Sequence, residues 1–402
     1  MEHYDVAVIG AGPAGSMASK YAALSGSKTV LLEEHFSVGW PVQCAGLLGI
    51  KAIKESELKG ESFAIRKVCG ATVYSPGGDR LSISSQEDKA WVVDRRLFDR
   101  ALLNQAIKSG VDFRLNSQVT KIFWDGKRNL LVVGDGKGEF QQISSKVIIS
   151  TEGVKAKMAR SRGICPPKEM LSSAQVEAPF QVGDLNKVEI HLGSELAPGF
   201  FAWVIPAQNG AARIGLSCWG NACTYLRKFL KSKPIKSRLK GGPVNLVVGG
   251  LPLGPSQSTV VDGLMAVGDT AGQVKPTSGG GIYPGLICAK IAGQVAAAAA
   301  QEDDSSALRL AEYDRRWKAS IGRELNLGMK VHQMLNMMTD QEQNQLIKHL
   351  TDKKNLIDII ERYGDVDRPS VAIKKIAPRL SLSDLKTAKI FWRLYRATTN
   401  WP

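Results

Sequence analysis

Three glycines, Gly10-x-Gly12-x-x-Gly15, close a short apolar stretch from Tyr4 to Ile9 and open a helical one running through Ser16, Met17, Ala18 and Tyr21 to Gly26. That combination does one kind of chemistry. Gly10 makes a tight turn, Gly12 lets backbone approach a pyrophosphate closely, and Gly15 lets helix and strand pack together. The helix N-terminus, with Pro13 and Ala14 in its first turn, is left aimed at an anion. A second apolar strand, Thr29 to Leu32, ends in Glu33 and Glu34, roughly 20 residues past the glycines, where a carboxylate can hydrogen-bond a ribose 2′-OH. Glu33 comes first after the strand and takes that role; Glu34 reads as a solvated turn residue. A dinucleotide is the natural occupant. A second corner, Gly268-Asp269-Thr-Ala271-Gly272, follows a buried strand and precedes a helix. An Asp there can hold a ribityl hydroxyl, while the small residues open a helix N-terminus towards a phosphate or a flavin ring.

The elements that must position these corners can be read in chain order. The strand Tyr4 to Ile9 is apolar without alternation, as a strand covered on both faces should be. Residues 36 to 50 form a Gly- and Pro-containing loop, Ser-Val-Gly39-Trp40-Pro41-Val42-Gln43-Cys44-Ala45-Gly46, on the side of a parallel sheet where ligands bind. Ala71 to Ser75 and Arg80 to Ser84 flank the turn Pro76-Gly77-Gly78-Asp79 and read as a hairpin. A helix starts near Arg95, carries Leu102, Leu103 and Ala106 on one face and stops at Gly110. Strands follow around 111–115, 118–124, 130–133 and 147–150. From Ser172 to about Gly250 short alternating strands dominate: 174–178, 188–192, 200–205 and 213–218. The α/β pattern returns at Gly263, and beyond Leu308 the chain is helical, with Tyr313, Trp317, Ile321 and Leu325 at helical spacing. The fold class expected is α/β plus α+β. A Rossmann-type dinucleotide-binding domain with a discontinuous chain takes residues 1–72, 91–160 and 255–307. A β-rich substrate domain takes 73–90 and 161–254, and a helical C-terminal region takes 308–402.

With 402 residues the chain can bury a large core. Its longest apolar run, Ile282 to Ala300, is broken by Lys290 and Gln294 and is rich in small residues, so it reads as a packed helix rather than a membrane span. No charged leader followed by an apolar stretch precedes the first strand, which points to the cytoplasm, with peripheral attachment at the inner face of the cell membrane as a further option. The six cysteines show no metal spacing and fit a reducing compartment; each reads as a small buried hydrophobe, with Cys44 set apart below. No metal is expected. Net charge is +15, and from Asn221 to Val260 there is no acid at all, while Arg227, Lys228, Lys231, Lys233, Lys236, Arg238 and Lys240 crowd together. An anionic membrane surface, an acidic electron donor or a solvated basic face can account for this. Nucleic acid is ranked last, since no stacking platform or reading helix accompanies the charge. The segment Lys386 to Pro402 mixes basic and aromatic residues in a way that suits a membrane interface or packing on the body of the protein.

The Gly268-Asp269 corner resembles the second FAD signature of the glutathione-reductase-like and p-hydroxybenzoate-hydroxylase-like flavoproteins. Arg95-x-x-Phe98-Asp99 stands where that superfamily places an arginine near the flavin. Thr151-Glu152-Gly153 resembles its Asp-Gly element, with Glu152 in place of Asp. Within the superfamily the chain most resembles the geranylgeranyl reductase family, which includes archaeal digeranylgeranylglycerophospholipid reductases. Four stretches carry the resemblance, over about residues 4 to 330: the first glycine turn, Pro41-Val-Gln-Cys44-Ala-Gly46, Pro198-Gly-Phe200-Phe201-Ala-Trp203-Val-Ile205-Pro206, and Gly268-Asp269 running on to Thr277-Ser-Gly279-Gly-Gly281. Two departures stand out. Phe201 replaces a frequent Tyr, and Ile205 a usual Phe, which keeps the lining apolar and removes a hydroxyl.

The resemblance implies FAD as cofactor. It places Gly10, Gly12, Pro13, Ala14, Gly15, Glu33, Cys44, Ala45, Gly46, Arg95, Val119, Gly268, Asp269, Gly279, Gly280, Gly281 and Ile282 around it. It also implies saturation of isolated carbon–carbon double bonds in the isoprenoid chains of membrane lipids. Such an alkene carries no electron-withdrawing group, so hydride cannot simply add, and a proton must accompany it while positive charge develops on the tertiary carbon. Cys44, held protonated in an apolar site, is the candidate donor; the alternatives are simple packing beside the isoalloxazine, or a water held by backbone near Gly279 to Gly281. Phe200, Phe201, Trp203 and Pro206 line the substrate channel, and Tyr283 can donate a hydrogen bond. A developing cation can lie against an aromatic face. No second glycine-rich βα unit for NADPH stands out, so an external ferredoxin-like carrier or NADPH remains as donor. The competing readings are a flavin monooxygenase or halogenase of the same superfamily and, from another class, an electron-transfer flavoprotein that passes electrons between carriers without acting on a lipid.

Overall fold

In the computed structural model, which describes residues 1–365 and 367–376, the first strand runs from Glu2 to Ile9 in the middle of an eight-stranded sheet. Its unbroken apolar run is explained by its surroundings. Val6 and Val8 pack under helices on one face, while Ala7 and Ile9 pack against a hairpin, Gln118–Trp124 and Asn129–Gly134, on the other. Leu264–Ala266, Phe140–Ser150, Glu2–Ile9, Thr29–Leu32 and Asp112–Arg114 lie side by side in that order, all parallel. Register fixes the site. Ile9 pairs with Ser150 and Leu32, and Ser150 pairs with Ala266, so Gly10, Glu33, Thr151 and Val267 all leave the sheet along one edge.

Helices Pro13–Leu24, Arg95–Lys108 and Ile282–Gln301 cover one face. The last is long and apolar enough to cross a membrane, yet it is packed against the first helix. Its small residues let it do so: a Cβ on Gly293 would lie 2.4 Å from the carbonyl oxygen of Ala18. Glu57 ties the three helices together, accepting hydrogen bonds from Lys20 at 2.7 Å and Tyr21 at 2.6 Å, pairing with Lys290 at 2.7 Å, and taking Gln105 on its backbone carbonyl. Burial raises the Glu57 carboxyl, but these partners outweigh it and bring it from its ordinary 4.5 to about 2. A carboxyl depressed in the fold stabilises above its unfolded value and loses that contribution as pH falls through the folded one. Glu57→Gln should therefore cost less than about 1 kcal/mol near neutral pH, the Glu57 side chain being a third exposed. Thermal unfolding between pH 4.5 and 2 should show the wild type converging on the variant.

A second sheet has seven strands in the order Asn245–Leu253, Glu169–Pro179, Ala211–Cys218, Ala202–Pro206, Lys187–His191, Gly70–Tyr74 and Arg80–Ser84. Its hairpin opens at Gly70, three residues ahead of the expected boundary at 73, because Gly70 already pairs with Ser84. Alternation divides its faces. Ala174, Val176, Val204, Ile214 and Leu216 pack under helices Ala222–Lys231 and Lys233–Lys236, whereas Ser173, Gln175, Trp203, Ile205 and Ser217 face a cavity. A small sheet of Leu47–Gly49, Ala90–Val93 and Ala64–Val68 lies beside the cavity. The C-terminal helices Arg323–Asn336, Asp340–Asp352, Lys354–Tyr363 and Pro369–Ile376 complete its wall. The basic and aromatic run 386–402 falls outside the described residues.

Candidate functional site

One cavity of about 1600 Å³ runs from the glycine turn, past the Cys44 loop, to the apolar faces of the C-terminal helices. At the turn, Gly10 has φ +96°, and a Cβ there would lie 2.7 Å from the carbonyl oxygen of Thr151. The Thr151 hydroxyl locks the turn by donating to the carbonyls of Ile9 at 2.7 Å and Gly10 at 2.8 Å. Gly15 lies behind the turn and does not line the cavity; a Cβ on it would come within 1.8 Å of the Gly10 carbonyl oxygen. Gly12 is different. No protein atom lies within 4 Å of where its Cβ would be, and it caps helix Pro13–Leu24 without a side-chain hydrogen bond. The first-turn N–H groups are thus left facing open cavity, a cradle that fits a pyrophosphate.

Glu33 is buried at the same edge. It accepts hydrogen bonds from the Ala11 N–H at 2.7 Å and the His35 N–H at 3.0 Å, and its other contact is the His35 ring at 2.6 Å. Glu34 is not the solvated turn residue expected: Lys155 and Gln118 each hold it at 3.0 Å, and these partners hold its carboxyl below the usual range against the opposing effect of burial. Val119 lines the cavity next to a bulge in its strand, where pairing with the neighbouring strand shifts register. Glu152 has a plain local job. Its carboxylate accepts from the N–H groups of Met158 and Ala159 at 2.9 and 3.0 Å, reaching a short helix N-terminus with its extra methylene.

At the second corner, Asp269 faces the cavity and makes no side-chain hydrogen bond or ion pair to any described residue. Burial pushes its carboxyl up, opposed by the charge of Arg95. An unpartnered, half-buried carboxylate facing a cavity fits a ligand hydroxyl. Gly281 packs against it, Gly280 against Lys275, and Gly279, at φ +71°, against Leu251 and Phe200, so each glycine of the loop admits one close neighbour. Ile282 and Tyr283 open the following helix on the cavity wall; the Tyr283 hydroxyl forms no hydrogen bond among the described residues.

Cys44 lines the same cavity as the two corners. Its sulfur accepts the Gly46 N–H at 3.3 Å. Arg95 lies against it, and Asp99 clamps Arg95 from the other side through two hydrogen bonds of 2.9 Å. Burial opposes the guanidinium charge, but the Asp99 carboxylate holds it firmly protonated. The setting of Cys44 is therefore not the purely apolar one expected: a buried cation touches the thiol. Ala45 lines the cavity, whereas Gly46 does not; it sits behind the loop, where a Cβ would meet the Arg213 guanidinium at 2.2 Å. Arg213 fixes this loop by donating to the carbonyls of Ala45 and Val93 at 2.8 and 3.0 Å.

Beyond Cys44 the lining turns apolar. Phe200 and Phe201 stack with centroids 4.3 Å apart, and Phe201 meets Trp203 edge-on at 6.3 Å. The Trp203 N–H donates to Gln175 at 2.9 Å, which fixes the indole plane. Pro206 does not line the cavity; it is buried at the far end of its strand. Val331, Met334, Leu335, Leu346, Ile360 and Ile373 supply the outer wall. Sequence reasoning missed these, as well as Gln175 and Arg213. The only signal was an i, i+3, i+4 apolar spacing, such as Val331, Met334 and Leu335. Of the other cysteines only Cys218 and Cys288 are buried; Cys165 is exposed, and Cys69 and Cys223 are intermediate.

Residues 4–165 match the pyridine nucleotide-disulphide oxidoreductase family. The chain is 36% identical over 366 residues to a digeranylgeranylglycerophospholipid reductase of Methanocaldococcus jannaschii, covering 89% of this chain and 93% of the relative. A geranylgeranyl bacteriochlorophyll reductase-like structure from Thermoplasma acidophilum superimposes with a TM-score of 0.85 at 26% identity, covering 97% of this chain and all of that one. A myxobacterial chondrochloren halogenase shares the fold at a TM-score of 0.68, 15% identity and full coverage of both chains. The cradle at Gly12, the free carboxylate at Asp269 and these likenesses converge: the chain is an FAD-dependent oxidoreductase and belongs to the digeranylgeranylglycerophospholipid reductase family.

Proposed function

We propose that this protein saturates isolated carbon–carbon double bonds in isoprenoid chains of membrane lipids. It draws electrons from an external ferredoxin-like carrier or NADPH and meets its substrate at a membrane surface. The observation that carries the reading is the continuity of the cavity, in which the dinucleotide cradle and a channel walled by Phe201, Trp203 and Met334 form one space. FAD would be held by the Gly12 cradle, Glu33, Val119, Asp269 and the Gly279–Gly281 loop, and when reduced it supplies a hydride.

The chain's own residues supply the rest. Aromatic and aliphatic walls keep water away from a developing tertiary carbocation, and the faces of Phe201 and Trp203 stabilise it. Cys44 holds the proton at Sγ. Once that proton passes to the alkene, the thiolate left behind meets the Arg95 guanidinium and the Gly46 N–H, both already in place. Gln175 acts through Trp203. Gln175→Leu removes the hydrogen bond to the indole and should raise KM for the lipid by about 5-fold, the worth of one such bond at roughly 1 kcal/mol, with flavin binding unchanged. Steady-state kinetics would show this.

The test of the activity is oxygen. With a chemical reductant and a polyprenyl lipid, saturated product should form in the complete absence of air, and when air is admitted no oxygen should enter the lipid. A hydroxylated or halogenated product, or strict dependence on oxygen, would contradict the proposal in favour of a monooxygenase or halogenase.

A further inference from the structure

The two edges of the second sheet are finished differently. Arg80–Ser84 is covered by the C-terminal helices, through Leu81 and Ile83 against Ile347, Leu350 and Leu356. Asn245–Leu253, nine residues long, has no neighbouring strand on its outer side among the described residues. Its inner face, with Val247, Gly249 and Leu251, is cavity wall. Leu246 and Val248 point the other way and stay 59% and 47% exposed, with Val244 just ahead of them at 72%. Leu246 and Val248 pair with Val176 and Ala174, which are buried under helix Ala222–Lys231. The apolar stripe thus runs alongside that helix. The helix buries Ala222, Leu226 and Phe229 and turns Arg227, Lys228 and Lys231 outward, and Lys233, Lys236 and Lys240 follow, also exposed. None of these six cations forms an ion pair among the described residues, and the sequence from 221 to 260 holds no acid to offset them.

Long, flat, apolar sheet edges are normally blunted or covered. Here the neighbouring charges decide what covers it. A second copy of the chain pairing edge to edge would bring two basic helices together, which is repulsive. An anionic bilayer suits both halves of the surface at once: branched apolar side chains enter the acyl boundary while lysines and arginines meet lipid phosphates. It also places the strand that walls the cavity at the membrane surface, where a long apolar substrate can reach the cavity without crossing water.

We propose that Val244, Leu246 and Val248, with the basic face of helix Ala222–Lys231, form the surface by which this protein docks on an anionic bilayer. The inference rests on the lipid-substrate reading above and names the partner of that site. The test uses the FAD-loaded protein and flotation with vesicles of pure phosphatidylcholine or of phosphatidylcholine with phosphatidylglycerol. Binding should require the anionic lipid and weaken with salt. Lys228→Glu with Lys231→Glu should lower partitioning by about 25-fold or more, and Leu246→Ser with Val248→Ser by about 10-fold. Both variants should keep their flavin absorbance and their turnover on detergent-dispersed lipid. Wild-type protein that ignores anionic vesicles, or variants that bind like wild type, would overturn the proposal. So would a dimer split by the Leu246→Ser, Val248→Ser pair, or an acidic protein that binds this face when vesicles do not. Loss of turnover in detergent with vesicle binding intact would count against the substrate reading and leave the docking surface standing.

Discussion

Replacing Cys44 with alanine should slow the transfer of electrons from reduced protein to lipid by about 100-fold or more, the usual worth of a positioned general acid, with FAD still bound. The argument is local. The reacting alkene has to receive a proton inside the cavity, and Cys44 is on a loop that lines it between the glycine turn and the aromatic wall of Phe201 and Trp203. Arg95, held by Asp99, waits to stabilise the anion that proton transfer creates. Serine in place of Cys44 keeps a hydroxyl but is a much weaker acid and should recover little. The measurement is the rate of flavin reoxidation after anaerobic mixing with lipid. An unaltered rate in Cys44→Ala would remove the thiol from the reaction and shift the donor to a water held by the Gly279–Gly281 backbone.

Gly12→Val should cost FAD affinity by roughly 1–3 kcal/mol, a fall of about 5- to 150-fold, while leaving the thermal midpoint of the flavin-free protein nearly unchanged. The two effects separate because of where the side chain would go. Gly12 has φ −68°, which any residue adopts, and its Cβ would touch no protein atom. Valine therefore folds, but fills the space in front of the helix N-terminus. Gly15→Ala is the control with the opposite signature: its methyl would drive into the Gly10 carbonyl and the Thr151 hydroxyl, so stability and flavin should be lost together. Titration of flavin-free protein with FAD, followed by fluorescence, and thermal unfolding of both variants check this. A valine variant that binds FAD like wild type would show that the cradle lies elsewhere.

The nucleotide end of the molecule was legible because its constraints are local. Strand Glu2–Ile9 is buried on both faces towards its C-terminal end, so its sequence there is apolar, and Gly10 and Gly15 after it each answer a steric demand from Thr151 or from the turn itself. Strand Gln118–Trp124 and the 80–84 arm of the hairpin likewise sit where alternation and turn residues put them. What escaped was set by distant contacts. Strand Asn245–Leu253 carries Gly249, Gly250 and Pro252, which read as breakers; a sheet edge tolerates them, since the outer side needs no ladder. Helix Ala222–Lys231 was hidden in a run of cations, although Ala222, Leu226 and Phe229 recur at helical spacing. Pro206 followed two cavity residues in its strand but is itself buried away from the channel. That Arg95 would touch Cys44 could not be read from residues fifty positions apart, and neither could the outer channel wall built from helices beyond residue 323.

The most direct measurement is a single turnover without air. Protein carrying fully reduced flavin is mixed with a geranylgeranyl lipid, and flavin absorbance and lipid mass are followed together. Lipid saturation predicts that the flavin reoxidises in step with product that has gained two hydrogens per flavin, both events sharing one rate. A flavin that stays reduced until oxygen is admitted, or reoxidises while the lipid mass is unchanged, would contradict it.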